Sequence, residues 1–548
     1  MVGTEALQEK VRNRLLRRAD WRFLLHNPQP RKSICFANGL LSQAVGLISD
    51  CVVDAEGDLP GDCDLAVAID PDDTTLRAAW DSLHPGGSCY TEWYSPLAGR
   101  REGIRRRLEA AGFEDVTCYW CWPWPFLSRS RYWVPLEAPG ALHYFLISRP
   151  PARNAIRRIG VAILRVIWLL CFRIGFTLPV CAAARKRAFL SSPQQPSAVG
   201  PALPASSRTL VASVTPHLLS TIRAQWTSWG FGPTSDHLSL LILTGGPRSI
   251  CKVVALVFAE PNHQPSLAVK MPRVPEAVAG LAREATTLQA IESLRPGGVR
   301  GAPRVLFYQE HAGLFTVGET AFAGQPLFTL IRRSNYRDLA LKATDWLCDL
   351  ASHAEPHPPP AWWDRLVEPV LTGFGESFGP IIDSDMLRET RDIVATLGAL
   401  PLVCEQRDFA PWNILVTAEG ELAVLDWESS ALRGLPAMDL IYFLAYLGFF
   451  LDGAIISGRF RESYRKMLDS STLTGRVMRE CLALYADRMG LNSVNLRALR
   501  LLVWMLHSGS EYQHFRSDAG GKPEPETLRR SLFVNLWEEE LHHGPGGL

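Results

Sequence analysis

The chain has 548 residues, with 57 Lys and Arg against 56 Asp and Glu, a net charge of +1. Hydrophobic residues make up 47% and charged residues 21%, ordinary globular usage that excludes a mostly disordered chain. Near-neutral charge gives no bulk attraction to nucleic acid, so no nucleic-acid partner is expected.

Met1–Lys10 carries acidic residues and no apolar run, so it does not read as a secretory signal, and a cytoplasmic protein is expected. The 12 cysteines are scattered, as buried thiols in a reducing compartment would be. Cys118 and Cys121 form a C-x-x-C, but no second pair stands at zinc spacing, and a metal or redox role is not expected.

Short apolar runs at Ser33–Phe36, Cys51–Asp54 and Leu65–Ile69 read as buried strands, and Thr75–Leu83 and Arg100–Ala111 read as helices. Gly112 stops the second helix, and a strand-like Val116–Trp120 follows. This alternation predicts a parallel α/β, Rossmann-like sheet. The run Arg100, Arg101, Arg105, Arg106 and Arg107 reads as a solvated helix face. Trp120, Trp122 and Trp124 read as a core or interdomain seam, with a stacking surface for a ligand as the alternative.

Ala155–Ala184 is apolar but interrupted by charge. At about 100° per residue, Arg158, Arg165 and Arg173 share one face, which predicts an amphipathic helix with a basic stripe. Packing on its own domain, peripheral membrane contact through residues 155–190, and a membrane span all remain open. Ser191–Ser207 is rich in Pro and Ser and reads as a linker. The expected organisation is therefore a domain over 1–190, a linker over 191–209 and a second domain over 210–548.

Beyond the linker, Leu238–Leu243 and Val253–Phe258 flank Gly245 and Gly246, a hairpin pattern. Ser266–Lys270 reads as a third strand and Val274–Leu294 as mostly helix. A small sheet followed by a large helical part predicts two lobes. The sharpest motif is Gln406-Arg407-Asp408-Phe409-Ala410-Pro411-Trp412-Asn413, followed by a strand-like Leu422–Leu425 and then Asp426-Trp427-Glu428. Phosphoryl transfer needs in-line positioning and screening of phosphate charge more than covalent help. Mg²⁺ takes hard oxygen ligands and keeps several waters, so Asn413 and Asp426 suit it, and Asp408 is left to orient an acceptor hydroxyl. Lys270 supplies a cation for phosphates, and Glu284 on the next helix is its expected partner.

Asp408, Asn413 and Asp426-Trp427-Glu428, with Pro436-Ala437-Met438-Asp439-Leu440 after them, resemble the aminoglycoside phosphotransferase and choline-kinase-like branch of the protein-kinase fold. The resemblance covers about Leu210–Gly544. It implies an α+β, two-lobed kinase-like domain that moves the γ-phosphate of ATP to a hydroxyl of a small-molecule substrate: a sugar, an amino alcohol or an aminoglycoside-like compound. Under it Asp408 is the catalytic base, Asn413 and Asp426 bind Mg²⁺, and Lys270, Glu284, Gly245 and Gly246 serve the nucleotide. Asp439 anchors the catalytic loop. Two positions depart from the family pattern: Gln406 stands where the family has His, and Thr244–Ser249 lacks G-x-G-x-x-G.

Leu83-His84-Pro85-Gly86-Gly87 with Ser88–Trp93, Asp64–Ile69 and Leu108–Val116 resemble class I methyltransferases over about Ser33–Pro150. The turn Phe36-Ala37-Asn38-Gly39-Leu40 has one glycine where that family has several, so S-adenosylmethionine is not the expected cofactor. Under this resemblance Asp54 would be the ribose contact, with an ordinary turn residue at a strand end as the alternative. A small-molecule kinase is therefore the first reading, with a pseudoenzyme scaffold and a methyltransferase–kinase fusion as alternatives. The acceptor would be read by Tyr336–Trp363, Val370–Leu397 and the C-terminal helices, and nothing in them names it.

Overall fold

The computed structural model describes residues 11–53, 55, 59–95, 101–127, 131–147, 163, 166, 179–187, 218–233, 235, 237–245, 252–311, 313–353 and 361–543. They fall into two compact units, one of residues 11–278 and 306–321, the other of residues 279–305 and 322–548.

The first unit is built on one sheet. Its strands are β1 (Lys32–Cys35), β2 (Cys51–Val53), β3 (Cys63–Ile69), β4 (Leu83–Trp93), β5 (Phe113–Trp122), β6 (Arg131–Pro135), β7 (Val180–Lys186), β8 (Leu238–Thr244), β9 (Lys252–Ala259), β10 (Leu267–Pro272), β11 (Val305–His311) and β12 (Leu314–Thr320). Their order is β11-β12-β10-β9-β8-β6-β5-β7-β4-β3-β1-β2. β2, β1, β3 and β4 pair in parallel. β7 lies antiparallel between β4 and β5. The pairs β5–β6, β6–β8, β8–β9, β9–β10 and β10–β12 are all antiparallel.

The sequence explains much of this locally. The Asp73–Ser82 helix starts where the Asp72 side chain accepts from Thr75 N at 2.7 Å, a regular N-cap. The Arg101–Ala110 helix is followed by Gly112, whose φ is +98° and where a Cβ would lie only 2.8 Å from the Trp80 indole nitrogen. Arg101, Arg105 and Arg107 are tied to Leu136 O, Glu137 and Asp73, so the arginine run holds this helix to its own unit. Trp120 packs on Trp122 and edge-on to Phe145, as a core residue does.

Several expectations change. The end of the expected Ala155–Ala184 helix is strand: Val180–Ala184 belongs to β7, which is buried between two neighbours whose ladders outweigh the helix propensity of its alanines. The rest of that stretch, apart from Ile163, Val166 and Pro179, lies outside the described residues, as do the linker, Asp54 and residues 246–251. No helix among the described residues is long and apolar enough to cross a membrane. β6 and β8, which come from either side of residues 191–209, share a ladder.

A segment not singled out in the sequence packs on this sheet. Residues 11–18 are helical, and a single turn at Asp20–Leu24 follows, fully buried. Trp21 stacks on Tyr90 at 4.2 Å, and Arg18 donates twice to Glu92, at 2.7 and 2.6 Å. Asp20 accepts from Arg273 at 2.6 and 3.1 Å and from Arg131 at 3.0 Å. One short segment thus touches β4, β6 and the end of β10. A Cβ on Gly313, in the β11–β12 turn, would lie 2.9 Å from Gln29 Oε1.

The second unit is mostly helical. The Met438–Asp452 helix is buried almost throughout and packs with the Tyr336–Leu350, Leu473–Met489 and Ser493–Ala519 helices in one continuous apolar core. Two small sheets lie on this core. One is β13 (Gln325–Pro326), β15 (Ile414–Val416) and β16 (Leu422–Val424); the other pairs β14 (Val403–Glu405) with β17 (Ala431–Gly434).

Candidate active site

The β15–β16 hairpin brings Asn413 and Asp426 together. Its ladder pairs Ile414 with Val424 and Val416 with Leu422. One more bond, Leu425 N to Asn413 O at 2.8 Å, carries the pairing to the hairpin's open end. Asn413 therefore precedes one strand and Asp426 follows the other. The hairpin is seated against the Val278–Leu294 helix and its following loop. Val424 N donates to Gly301 O at 2.8 Å, and a Cβ on Gly301 (φ +83°) would collide with Leu422 O at 1.9 Å.

Asp408 sits in the loop between β14 and β15. The Asn413 amide donates to its carboxylate at 2.7 Å and to its backbone carbonyl at 3.0 Å. Gln406 fastens this loop to the far side of the hairpin. Its buried amide donates to Leu425 O at 3.0 Å and Asp426 O at 2.5 Å and accepts from Asp408 N at 2.8 Å. Asp439, at the start of the Met438–Asp452 helix, accepts from Gln406 N at 2.7 Å and Arg407 N at 2.8 Å. Charge-assisted bonds of this kind are worth about 1.5–3 kcal/mol each. They hold a strained backbone: Arg407, Asp426 and Ala437 all have φ between 64° and 66° without being glycine. Such strain persists where the surroundings over-determine the chain, and it clusters at sites that position side chains.

The electrostatics favour a cation. Burial first, then the Asp426 carboxylate, pushes the Asp408 carboxyl up to about 7, and Glu428 adds to the rise. Asn413 and Trp412 oppose it by hydrogen bonding to the charged form. Negative charge is thus in excess around an amide and two carboxylates. No group of three or more His, Cys, Asp or Glu with metal-site geometry occurs among the described residues. One carboxylate and one amide oxygen form a sparse, hard donor set, which Mg²⁺ accepts when phosphate and water complete its shell.

Glu284 lies in the same unit, fully buried on the Val278–Leu294 helix, and accepts from Trp427 N at 2.8 Å. It therefore fixes the residue that follows Asp426. The Trp427 indole donates to Val424 O at 3.0 Å and locks the same turn from inside. Trp412 is 37% exposed beside Asp408 and stands edge-on to Tyr446, at 4.8 Å between ring centres. Motif spacing singles out neither this aromatic wall nor the Gln406 bridge.

Lys270 belongs to the other unit. There it forms a buried ion pair with Glu319 on β12 at 2.6 Å, a partner 49 positions away that sequence reading did not find. Its expected pairing with Glu284 joins residues of different units. Gly245 follows β8, and its carbonyl accepts from Arg17 at 2.6 Å; Gly246 lies outside the described residues.

In the parallel part of the first unit, the side chain of Glu92, near the carboxyl end of β4, is saturated by Arg18, Tyr90 (2.9 Å) and Tyr94 (2.5 Å). Ligands of open α/β sheets usually sit beyond such strand ends. Here the protein's own side chains fill that place next to β4. Gly39 takes a φ of +73° in the turn after β1.

No family model matches the chain, and no curated protein matches it. Solved structures similar to it include an aminoglycoside phosphotransferase, APH(3'')-Id, from Streptomyces rimosus, at 15% identity over 53% of this chain and 97% of that one, with a TM-score of 0.31. The choline kinase LicA from Streptococcus pneumoniae aligns at 14% identity over 60% of this chain and 99% of that one, with a TM-score of 0.34. A thermostable mutant of APH(4)-Ia, in ternary complex with ADP and hygromycin B, aligns at 13% identity over 56% and 95%, with a TM-score of 0.34. At such values the likeness carries no assignment of activity or substrate.

Proposed function

We propose that the chain is an ATP-dependent phosphotransferase acting on a hydroxyl of a small molecule, and that its kinase-like domain comprises 210–548. The observation that carries this reading is the meeting of Asp408, Asn413 and Asp426 at one end of a hairpin, with Asn413 pinning the Asp408 carboxylate at 2.7 Å. Asp408 is the base. Its carboxylate orients the acceptor hydroxyl and takes its proton as the hydroxyl oxygen bonds to the γ-phosphorus and the bond to the β-phosphate oxygen breaks, releasing ADP. A carboxyl raised to about 7 is matched to this task near neutral pH. Asn413 and Asp426 are the residues suited to Mg²⁺, which when bound screens the phosphate charge. Gln406 and Asp439 hold the loop so that the base does not have to be positioned during the reaction.

Lys270, with its ammonium fixed by Glu319, is assigned to the nucleotide phosphates, together with the Gly245–Gly246 loop. Glu284 is assigned to the nucleotide site through the Trp427 turn that it holds. For residues before the linker we propose a methyltransferase-like sheet that takes no S-adenosylmethionine, supported by the Arg18–Glu92 pair beside the end of β4. The test of the main reading is ATP consumption by the full chain with Mg²⁺ and a panel of sugars, amino alcohols and aminoglycosides. Turnover that depends on one acceptor class supports it; absence of turnover with every acceptor overturns it. Calorimetric binding of S-adenosylmethionine would overturn the assignment of the first sheet.

A further inference from the structure

Around residues 16–24 the first unit holds more buried cations than carboxylates. Arg17, Arg18, Arg22, Arg131 and Arg273 are all buried there, against Asp20 and Glu92. Glu92 is taken by Arg18, and Asp20 by Arg273 and Arg131. Arg17 and Arg22 are left with backbone carbonyls as partners: Gly245 O at 2.6 Å and Arg273 O at 2.7 Å. Buried charge without a counter-charge is costly, so this excess calls for a reason.

A cavity of about 630 Å³ opens beside it, entirely within this unit. Arg12, Arg22, Arg31 and Arg273 line it, and Asp50 is its single acidic lining residue. Arg12 and Arg31 are exposed at the rim, while Arg22 is 7% exposed and its Nε has no hydrogen-bond partner. Burial lowers the Arg22 pKa to about 10; Arg273 adds to the fall and Asp20 opposes it. The other walls are apolar, among them Leu16, Ile48, Leu314 and Phe315, the last 43% exposed. The volume lies in the ordinary range for small-molecule sites.

We propose that this cavity is a binding site for a phosphomonoester carried on an apolar body, with Arg22 at its floor and Arg12 and Arg31 at its rim. Guanidinium groups match phosphate oxygens in paired hydrogen bonds, and an Nε–H together with a terminal N–H presents one such fork. Only a ligand with an apolar portion would also use the Leu314 and Phe315 walls. The site involves none of the residues assigned to phosphate transfer, so it stands or falls apart from that reading.

The test is calorimetric titration of the full chain with phenyl phosphate, repeated with saturating Mg·ADP. Binding of one equivalent, unchanged by ADP and weakened about tenfold or more in the double variant Arg12→Gln/Arg31→Gln, is the expected result. Those two side chains are exposed, so the variant keeps its fold, and its melting midpoint checks this. Arg22→Lys should weaken binding further, since a lysine keeps the charge but loses the fork. A parallel arm uses phosphatidylcholine vesicles with and without phosphatidic acid. Vesicle binding that needs phosphatidic acid and falls in the same variants would place the phosphomonoester on a lipid; phenyl phosphate binding without it would place it on a free molecule. No binding in either arm, binding abolished by ADP, or binding unaltered by the arginine variants overturns the proposal.

Discussion

Replacing Gln406 with methionine tests how the Asp408 loop is held. The side chain is fully buried, and its amide makes three bonds: to Leu425 O, to Asp426 O and from Asp408 N. Methionine keeps the length and nearly the volume, so no cavity forms, but it replaces none of those bonds. At about 1 kcal/mol net per bond, Gln406→Met should cost about 3 kcal/mol. For a unit of some 250 residues this lowers the melting midpoint by about 6 °C. Turnover should fall further than stability suggests, because the lost bonds set the Asp408 backbone against that of Asp426. A displacement near 1 Å costs about a hundredfold in rate. Differential scanning calorimetry and steady-state ATP consumption read the two effects separately. A Gln406→Met protein that melts and turns over like the parent would refute the idea that this amide couples the two carboxylate-bearing segments.

Asp439→Ala leaves two buried backbone N–H groups without their carboxylate, and a stability loss of about 3 kcal/mol is expected in denaturant unfolding; an unchanged midpoint would remove the clamp. Gly301→Ala forces a Cβ into Leu422 O on a left-handed backbone, and about 3 kcal/mol and a lower yield of folded protein are expected, read by thermal melting. His507 is stacked on Tyr442 at 3.9 Å, and burial first, then Arg407, lowers its pKa to about 3. It is neutral when folded and takes a proton when unfolded below about 6.5, so the native state loses stability as pH falls through that value. The loss should reach about 2 kcal/mol at pH 5. In His507→Phe the fall in stability between pH 7 and pH 5 should be smaller by that amount; an equal fall in both proteins would contradict the burial of a neutral imidazole.

What the sequence disclosed was set by chain distance. Asp408, Asn413 and Asp426 lie within 19 positions, and one hairpin with its open end at Asn413 brings them together, so spacing and strand pattern sufficed. The β8–β9 hairpin and the Val278–Leu294 helix were legible for the same reason. Arg18–Glu92, Arg131–Asp20 and Arg273–Asp20 join residues 74, 111 and 253 positions apart, and no periodicity marks such pairs. Lys270–Glu319 escaped notice similarly. Val180–Ala184 shows the opposite failure: a local preference for helix was plain, and the two strands that flank it decided otherwise. Leu83–Gly87, despite its Pro-Gly-Gly, forms the start of β4, with a register shift absorbed between Cys63 and Leu65.

The most direct measurement follows radiolabelled γ-phosphate from Mg·ATP into an alcohol acceptor, comparing the parent chain with Asp408→Asn. An asparagine keeps the shape and cannot take the proton. Label is expected in the acceptor with the parent, with a drop of about 10²–10⁴-fold in Asp408→Asn at an unchanged melting midpoint. Equal transfer by the two proteins, or none by the parent with any acceptor of the panel, would contradict Asp408 as the base of a phosphotransferase.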